Sequence, residues 1–275
     1  MHAPHPTEDV HPTHVLRRGR APLLISIPHL GTTLPEALRD DYTPLALTLT
    51  DTDWHLDRLY AFATQLDATL IAARISRYVI DLNRPSSGES LYPGQATTGL
   101  CPTTTFDGQP LYRPGREPGA DEIARRVETW WAPYHAALET ELARLRGQHP
   151  DVLLWEAHSI ASHVPRLFDG KLPDLNFGTH GGLACATALL EAVTAPLQRH
   201  PALSWVVNGR FKGGHITRHH GQPQRGIHAI QLEMCQCLYM DEQPPFTYQE
   251  KRAAPVQQAL QEMLQAALGQ LGQAR

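Results

Sequence analysis

The chain is 275 residues long, carries a formal net charge of -4 and is 41% hydrophobic. That length can bury a substantial core in one large domain or two small ones, and the slight acidity argues against a nucleic-acid partner, which calls for a basic surface. No apolar run approaches the roughly 18 residues of a membrane span, and the start of the chain lacks the charged and apolar parts of a signal peptide. Four cysteines, Cys101, Cys185, Cys235 and Cys237, make no CxxC pair. A reduced, cytoplasmic protein with no nucleic-acid or membrane partner is therefore expected.

Histidine is abundant, at 16 residues. His2, His5, His11 and His14 stand among prolines in an aperiodic opening, so residues 1–20 are expected to form a flexible arm ahead of a single domain at 21–272. An apolar, partly β-branched run at 22–27 then reads as a buried strand that ends in Pro28-His29-Leu30-Gly31. Residues 32–49 read as loop and short helical pieces. Asp51-Thr52-Asp53-Trp54 follows, where aspartate can cap a helix carrying Leu56, Leu59, Tyr60 and Ala63 on one face.

Strands are expected at 69–75 and 79–82, the second running into Asn83-Arg84-Pro85, where proline stops any ladder. Residues 86–119, rich in Gly, Pro and Thr, form a loop long enough to serve as a wall or lid over a site. The strongest helical periodicity lies at 121–146, with Ile123, Val127, Trp130, Tyr134, Leu138, Leu142 and Leu145 on one face. A strand through Val152-Leu153-Leu154-Trp155-Glu156-Ala157-His158 comes next, then a polar loop at 159–182. A small-residue helix at 183–197, a strand at 204–207, a glycine- and cation-rich loop at 208–226, a strand at 229–234 and a final helix at 248–271 complete the chain. Strands separated by helices, with no internal repeat, predict an α/β sandwich.

Two strands that each deliver a histidine to their carboxyl end, where ligands of open α/β sheets bind, suggest a metal site between them. Catalytic zinc takes three His, Asp or Glu ligands and keeps one position for water. His29 and His158 supply two, and Asp53 is the expected third, with Asp51, Asp57 and Glu36 as alternatives. A lone histidine at a strand end is more often structural, and Asp53 alone could be only a helix cap; it is the combination that points to metal. Glu233 lies late in an apolar strand, where an unpaired carboxylate is costly, so it is either half of a buried ion pair or a general base. Glu156 shares a face with His158, two residues on, and could support it. Arg84 and Arg218 border the expected site edge, and an arginine fork suits a carboxylate. A small anionic substrate is the expected partner.

The ordered set Ile27-Pro28-His29-Leu30-Gly31, Asp51-Thr52-Asp53-Trp54, Asp81-Leu82-Asn83-Arg84-Pro85 and Trp155-Glu156-Ala157-His158-Ser159 resembles the N-formylglutamate amidohydrolase family. Phe168-Asp169-Gly170, Leu172-Pro173-Asp174-Leu175-Asn176, Gly213-Gly214-His215-Ile216-Thr217-Arg218 and Gln231-Leu232-Glu233-Met234 extend the likeness over most of the chain. The resemblance implies a three-layer α/β/α sandwich with a mixed central sheet, of the zinc-carboxypeptidase-like (phosphorylase/hydrolase-like) kind. It implies a cytoplasmic enzyme of histidine breakdown that releases formate and L-glutamate, using Zn2+ or another divalent metal. By the same likeness Asn83 and Arg84 grip a substrate carboxylate and Glu233 is the catalytic glutamate. The related zinc peptidases carry HxxE at the first ligand; Thr32 stands in that glutamate's place here, which leaves the carboxylate to Asp53 or one of its alternatives. A zinc deacylase or carboxypeptidase for another N-acyl acidic amino acid is the nearest competing activity. A non-catalytic binder of acidic metabolites would need neither the histidines nor Glu233.

Overall fold

Alternation along three central strands determines where the core lies and where a site can open. The computed structural model describes residues 8–91, 94 and 97–273. Among the described residues eight strands form one sheet: β1 (Glu8–Val10), β2 (His14–Arg17), β3 (Leu23–Ile27), β4 (Thr69–Ala73), β5 (Val152–Ile160), β6 (Leu175–Gly178), β7 (Trp205–Val207) and β8 (Ile227–Cys235). Their order is β1-β2-β4-β3-β5-β8-β6-β7. The run β4-β3-β5-β8 is parallel, while β1 on β2, β2 on β4 and β6 on β8 are antiparallel. The helices are α1 (Glu36–Arg39), α2 (Leu56–Leu59), α3 (Ala120–Arg126), α4 (Ala132–Arg146), α5 (Thr187–Thr194), α6 (His215–His220) and α7 (Glu250–Gln273). A π turn at Val127–Trp131 joins α3 to α4, so the expected helix at 121–146 is one continuous rod.

One set of strand side chains, including Ile25, Trp155 and Ile230, packs with Leu59 of α2, Val193 of α5 and Leu260 of α7. The alternate set, including Leu24, Leu154 and Ala229, packs beneath Tyr134, Leu138 and Leu142 of α4. Helices thus cover both faces of a mixed sheet, the three-layer sandwich that was expected. The α4-side set changes character along the strands. It is apolar at Leu24, Leu154 and Ala229, then polar at Ser26, Glu156, His158, Gln231 and Glu233, all of them buried. Ser26 still reaches α4, hydrogen-bonding Tyr134 at 2.9 Å. Beyond it the face is open to polar side chains at the carboxyl ends of parallel strands. In the β5/β8 register His158 lies opposite Glu233 and Glu156 opposite Gln231, so all four point to one side.

Several elements differ from the pattern reading. The arm expected at 1–20 is, from Glu8 onward, two strands that extend the sheet beyond β4; residues 1–7 lie outside the described residues. Leu16 and His14 alternate onto the buried side of β2, and that short period was hidden among prolines. The strand expected at 79–82 is a buried irregular segment. Val79 N–H donates to Ser76 O and Asn83 N–H to the Asp81 carboxylate at 2.9 Å each, so local turn bonding takes the donors a ladder would need. Asp53 caps no helix: α2 starts after His55, which is left-handed at φ 62°, with no side-chain cap. The loops expected at 159–182 and 208–226 contain β6 and α6. Among the described residues no helix is long and apolar enough to cross a membrane.

Candidate active site and metal centre

His29 stands two residues beyond β3, and His158 lies near the end of β5, the strand paired with β3. Their rings are 4.7 Å apart between centroids. Asp53 comes from the segment before α2, held there by its own N–H to His29 O at 3.1 Å. Its Oδ2 lies 3.1 Å from His158 Nδ1 and 3.7 Å from His29 Nδ1. One ligand atom from each of His29, Asp53 and His158 falls within 4.8 Å of the others, and all three residues are buried.

Each imidazole is turned by a carboxylate on its far side. His29 Nε2 lies 2.7 Å from Asp81 Oδ1, and His158 Nε2 lies 2.7 Å from Glu156 Oε1. A histidine that donates Nε2–H to a carboxylate keeps its Nδ1 lone pair for a metal, the usual outer support of such ligands. The electrostatics show a site that draws positive charge to itself. Burial works against a proton on His158, yet its hydrogen bonds to Asp53 and Glu156 raise it to about 10. Burial, and then Arg77, lower His29. Asp53 Oδ1 is buried without a hydrogen bond, with Arg77 Nη1 3.6 Å away. Carboxylates that draw a proton onto His158, and an Asp53 oxygen buried without a hydrogen bond, call for positive charge between the imidazoles, which a divalent cation with nitrogen and oxygen ligands would supply in the proton's place.

The other carboxylates expected as alternatives lie apart from this cluster. Glu36 is exposed and pairs with Arg39, Asp57 is exposed, and Asp51 accepts a 2.8 Å bond from Phe106 N–H. Glu233 faces the same pocket as His29 and His158. Burial, aided by Asp53 and Glu156, pushes it up to about 8 against the pull of His158 and Arg77.

The pocket, with an empty volume of about 600 Å3 including its mouth, is also lined by Arg77, Arg84 and Arg210. Arg77 was not singled out from the sequence. It is buried, donates to Asp81 Oδ2 at 3.2 Å, and lies 4.6 Å from the centre of the Phe106 ring. The signal for it was present: an arginine within the apolar stretch 75–82 needs a buried partner, and Asp81 stands at i+4. Burial alone would raise Asp81, but His29, Arg84 and Arg77 hold its carboxyl well below the usual range.

Arg84 Nε–H donates to Thr98 O at 3.0 Å, and its Nη1 lies 3.9 Å from Asp81 Oδ2. Asn83 lines the pocket, but its amide is spoken for on both ends. Its Nδ2 donates to Glu156 Oε1, and its Oδ1 accepts from Ile216 N–H at 2.9 Å. Arg218, expected to bind substrate, is not among the residues lining the pocket. It lies on α6, with Nε–H donated to Gly213 O at 2.8 Å and Nη1–H to Leu91 O at 3.1 Å, so it braces two loops. The long segment at 86–119 contributes Thr97, Thr98 and Phe106 to the pocket wall.

An α/β sandwich whose parallel strands end in imidazoles, a buried carboxylic acid and arginines around one pocket is built as a hydrolase. The family model for N-formylglutamate amidohydrolase matches residues 21–240. Over 255 residues the chain is 54% identical to a Pseudomonas aeruginosa protein named N-formylglutamate deformylase, covering 92% of this chain and 94% of that one. A Pseudomonas putida protein of the same name is 53% identical over 251 residues, covering 91% and 94%. A solved N-formylglutamate amidohydrolase from Ralstonia eutropha shares the fold, with a TM-score of 0.82 at 22% identity over 96% of this chain and 100% of that one. The chain belongs to the N-formylglutamate amidohydrolase family and is a hydrolase acting on an amide bond.

Proposed function

We propose that the protein hydrolyses N-formyl-L-glutamate to formate and L-glutamate with the help of a divalent metal, zinc being the best match to the ligand set. The observation that carries the proposal is the meeting of His29, Asp53 and His158 with Glu233 and Arg84 in one pocket, in a chain 54% identical to a protein named for that reaction. His29 and His158, through Nδ1, and Asp53 would hold the ion. When bound, it supplies Lewis-acid polarisation of the formyl carbonyl and eases deprotonation of water.

The rest falls to the chain's own side chains. Glu233 accepts a proton from the attacking water as its oxygen bonds to the formyl carbon, and passes a proton to the amide nitrogen as the C–N bond breaks. Burial raises Glu233, which makes its carboxylate form the stronger proton acceptor. Arg77, fixed by Asp81 and facing the pocket, donates to the carbonyl oxygen as charge develops there. Arg84 holds a substrate carboxylate with its fork, with Thr98 fixing its orientation. Asn83 supports this arrangement through its bonds to Glu156 and α6 more than by touching substrate. A cytoplasmic setting at the end of a histidine degradation route is part of the proposal, supported by the family resemblance.

Formate release from N-formyl-L-glutamate tests the proposal directly. Purified protein should release one formate per glutamate, lose that activity to a chelator and regain it with zinc. Undiminished turnover after complete metal removal contradicts the metal-dependent mechanism. No turnover in the zinc-loaded protein contradicts the substrate.

A further inference from the structure

We infer that Arg210 determines specificity for the side-chain carboxylate of the substrate, an inference that rests on the deformylase reading above. N-formyl-L-glutamate has two unlike arms on the carbon next to its amide. The α-carboxylate is attached directly, whereas the second carboxylate lies beyond two methylenes. A matching pocket needs a cation close to the reacting centre, and another further off across an apolar surface.

The sheet order provides that asymmetry. His29, His158 and Glu233 come from the central strands β3, β5 and β8. Arg84 lies on the segment that follows β4, on one side of them, and Arg210 follows β7 at the opposite edge of the sheet. Both line the pocket. Arg84 is tied to the metal side through Asp81, the same carboxylate that orients His29, and its neighbour in the wall is Thr98. That is the polar, near side, suited to the short arm.

Arg210 occupies the apolar side. Ile160, Leu167 and Phe211 belong to one hydrophobic cluster and line the pocket with it, offering the methylenes a surface that excludes water. Arg210 Nε–H donates to Leu167 O at 2.9 Å, which fixes the plane of the guanidinium, and a fixed plane favours a directed carboxylate contact over a loose charge. Arg218 has no comparable position, being outside the pocket lining and bonded to Gly213 O and Leu91 O.

The test is the ratio of kcat/KM for N-formyl-L-glutamate to that for N-formyl-L-glutamine, which has the same shape and no side-chain charge. Arg210→Gln should lower this ratio by about 30-fold or more, the scale of removing one partner from a desolvated charge pair. Turnover of the glutamine substrate should change far less. Arg210→Lys, with its charge kept, should recover part of the ratio, and Arg218→Gln should leave it at the wild-type value. Equal losses on both substrates in the Arg210 variants would make the residue structural and overturn the inference. So would an unchanged ratio in Arg210→Gln, or a fall in Arg218→Gln instead. A wild type that cleaves neither substrate removes the deformylase reading itself, an outcome separate from these.

Discussion

Glu233 and His158 face each other across β5 and β8, so the proposed base and one proposed metal ligand are set by a single strand register. Glu233→Gln keeps the shape and removes the proton acceptor. Turnover should fall by about 10²-fold or more while metal content stays at the wild-type level. Near-normal turnover in a fully loaded variant would make Glu233 a structural residue. At this scale much of the site could be read in advance. His29, His158 and Glu233 are polar residues closing apolar strand runs, and such residues need a reason to be there. Asp53 is the preferred carboxylate of four in the sequence, with the other three left open because the choice depends on how the chain turns back to His29 after a long irregular stretch. The sequence points to Arg218 for the substrate and passes over Arg210, yet it is Arg210 that lines the pocket. Both sit in one glycine-rich loop, and which of them faces the pocket is decided by α6, a six-residue helix too short for periodicity to reveal.

At the scale of elements, α6 is the piece that ties the site together. Its first residues give Asn83 and Glu156 their partners: His215 N–H bonds Asn83 O, Ile216 N–H bonds Asn83 Oδ1, and Thr217 N–H bonds Glu156 Oε2 at 2.9 Å. The chain can enter α6 this close to Asn83 only because Gly214 has no side chain; a Cβ there would overlap the Asn83 amide. Gly214→Ala should therefore destabilise the protein by about 1–3 kcal/mol, read as a lower urea midpoint, and should weaken catalysis beyond what the lost folded fraction explains. A variant with wild-type stability and kcat/KM would show that Asn83 has room to move. The long helix through α3 and α4 and the central strands were plain from their periods. The segment at 79–82 was misread because an apolar run can fill a core without pairing, and only its turn bonds distinguish the two cases.

Across the whole molecule, the division of the α4-side face into an apolar half and a polar half explains why site and core share one sheet. The same face also carries buried histidines whose protonation bears on stability in acid. His135 on α4 donates Nε2–H to Leu82 O at 2.9 Å and stacks on Trp131 at 3.7 Å. Burial, reinforced by His215, His220 and His219 against the bond to Leu82, lowers it from 6.5 to about 3. Burial and neighbouring histidines lower His215 and His220 to about 4. Below pH 6.5 the unfolded chain takes up protons that these folded imidazoles refuse. Their contribution to stability is therefore full above that pH and is lost as pH falls toward the folded values. Each contributes at most about 1.4 kcal/mol per pH unit in that window. The urea midpoint should drop between pH 7 and 5, and less steeply in His135→Gln, which keeps a donor for Leu82. Equal slopes would assign the acid sensitivity to other groups.

In the proposed mechanism His29, Asp53 and His158 hold the ion at which N-formyl-L-glutamate is cleaved. Asp53 tests it most sharply, because its Oδ2 approaches both imidazoles while no helix depends on it as a cap. The measurement is zinc content together with formate release, in wild type and in Asp53→Ala dialysed against the same zinc buffer. About one zinc per wild-type chain is expected, with formate released from N-formyl-L-glutamate, and a folded Asp53→Ala protein deficient in both. A variant that keeps full zinc and full turnover would contradict it.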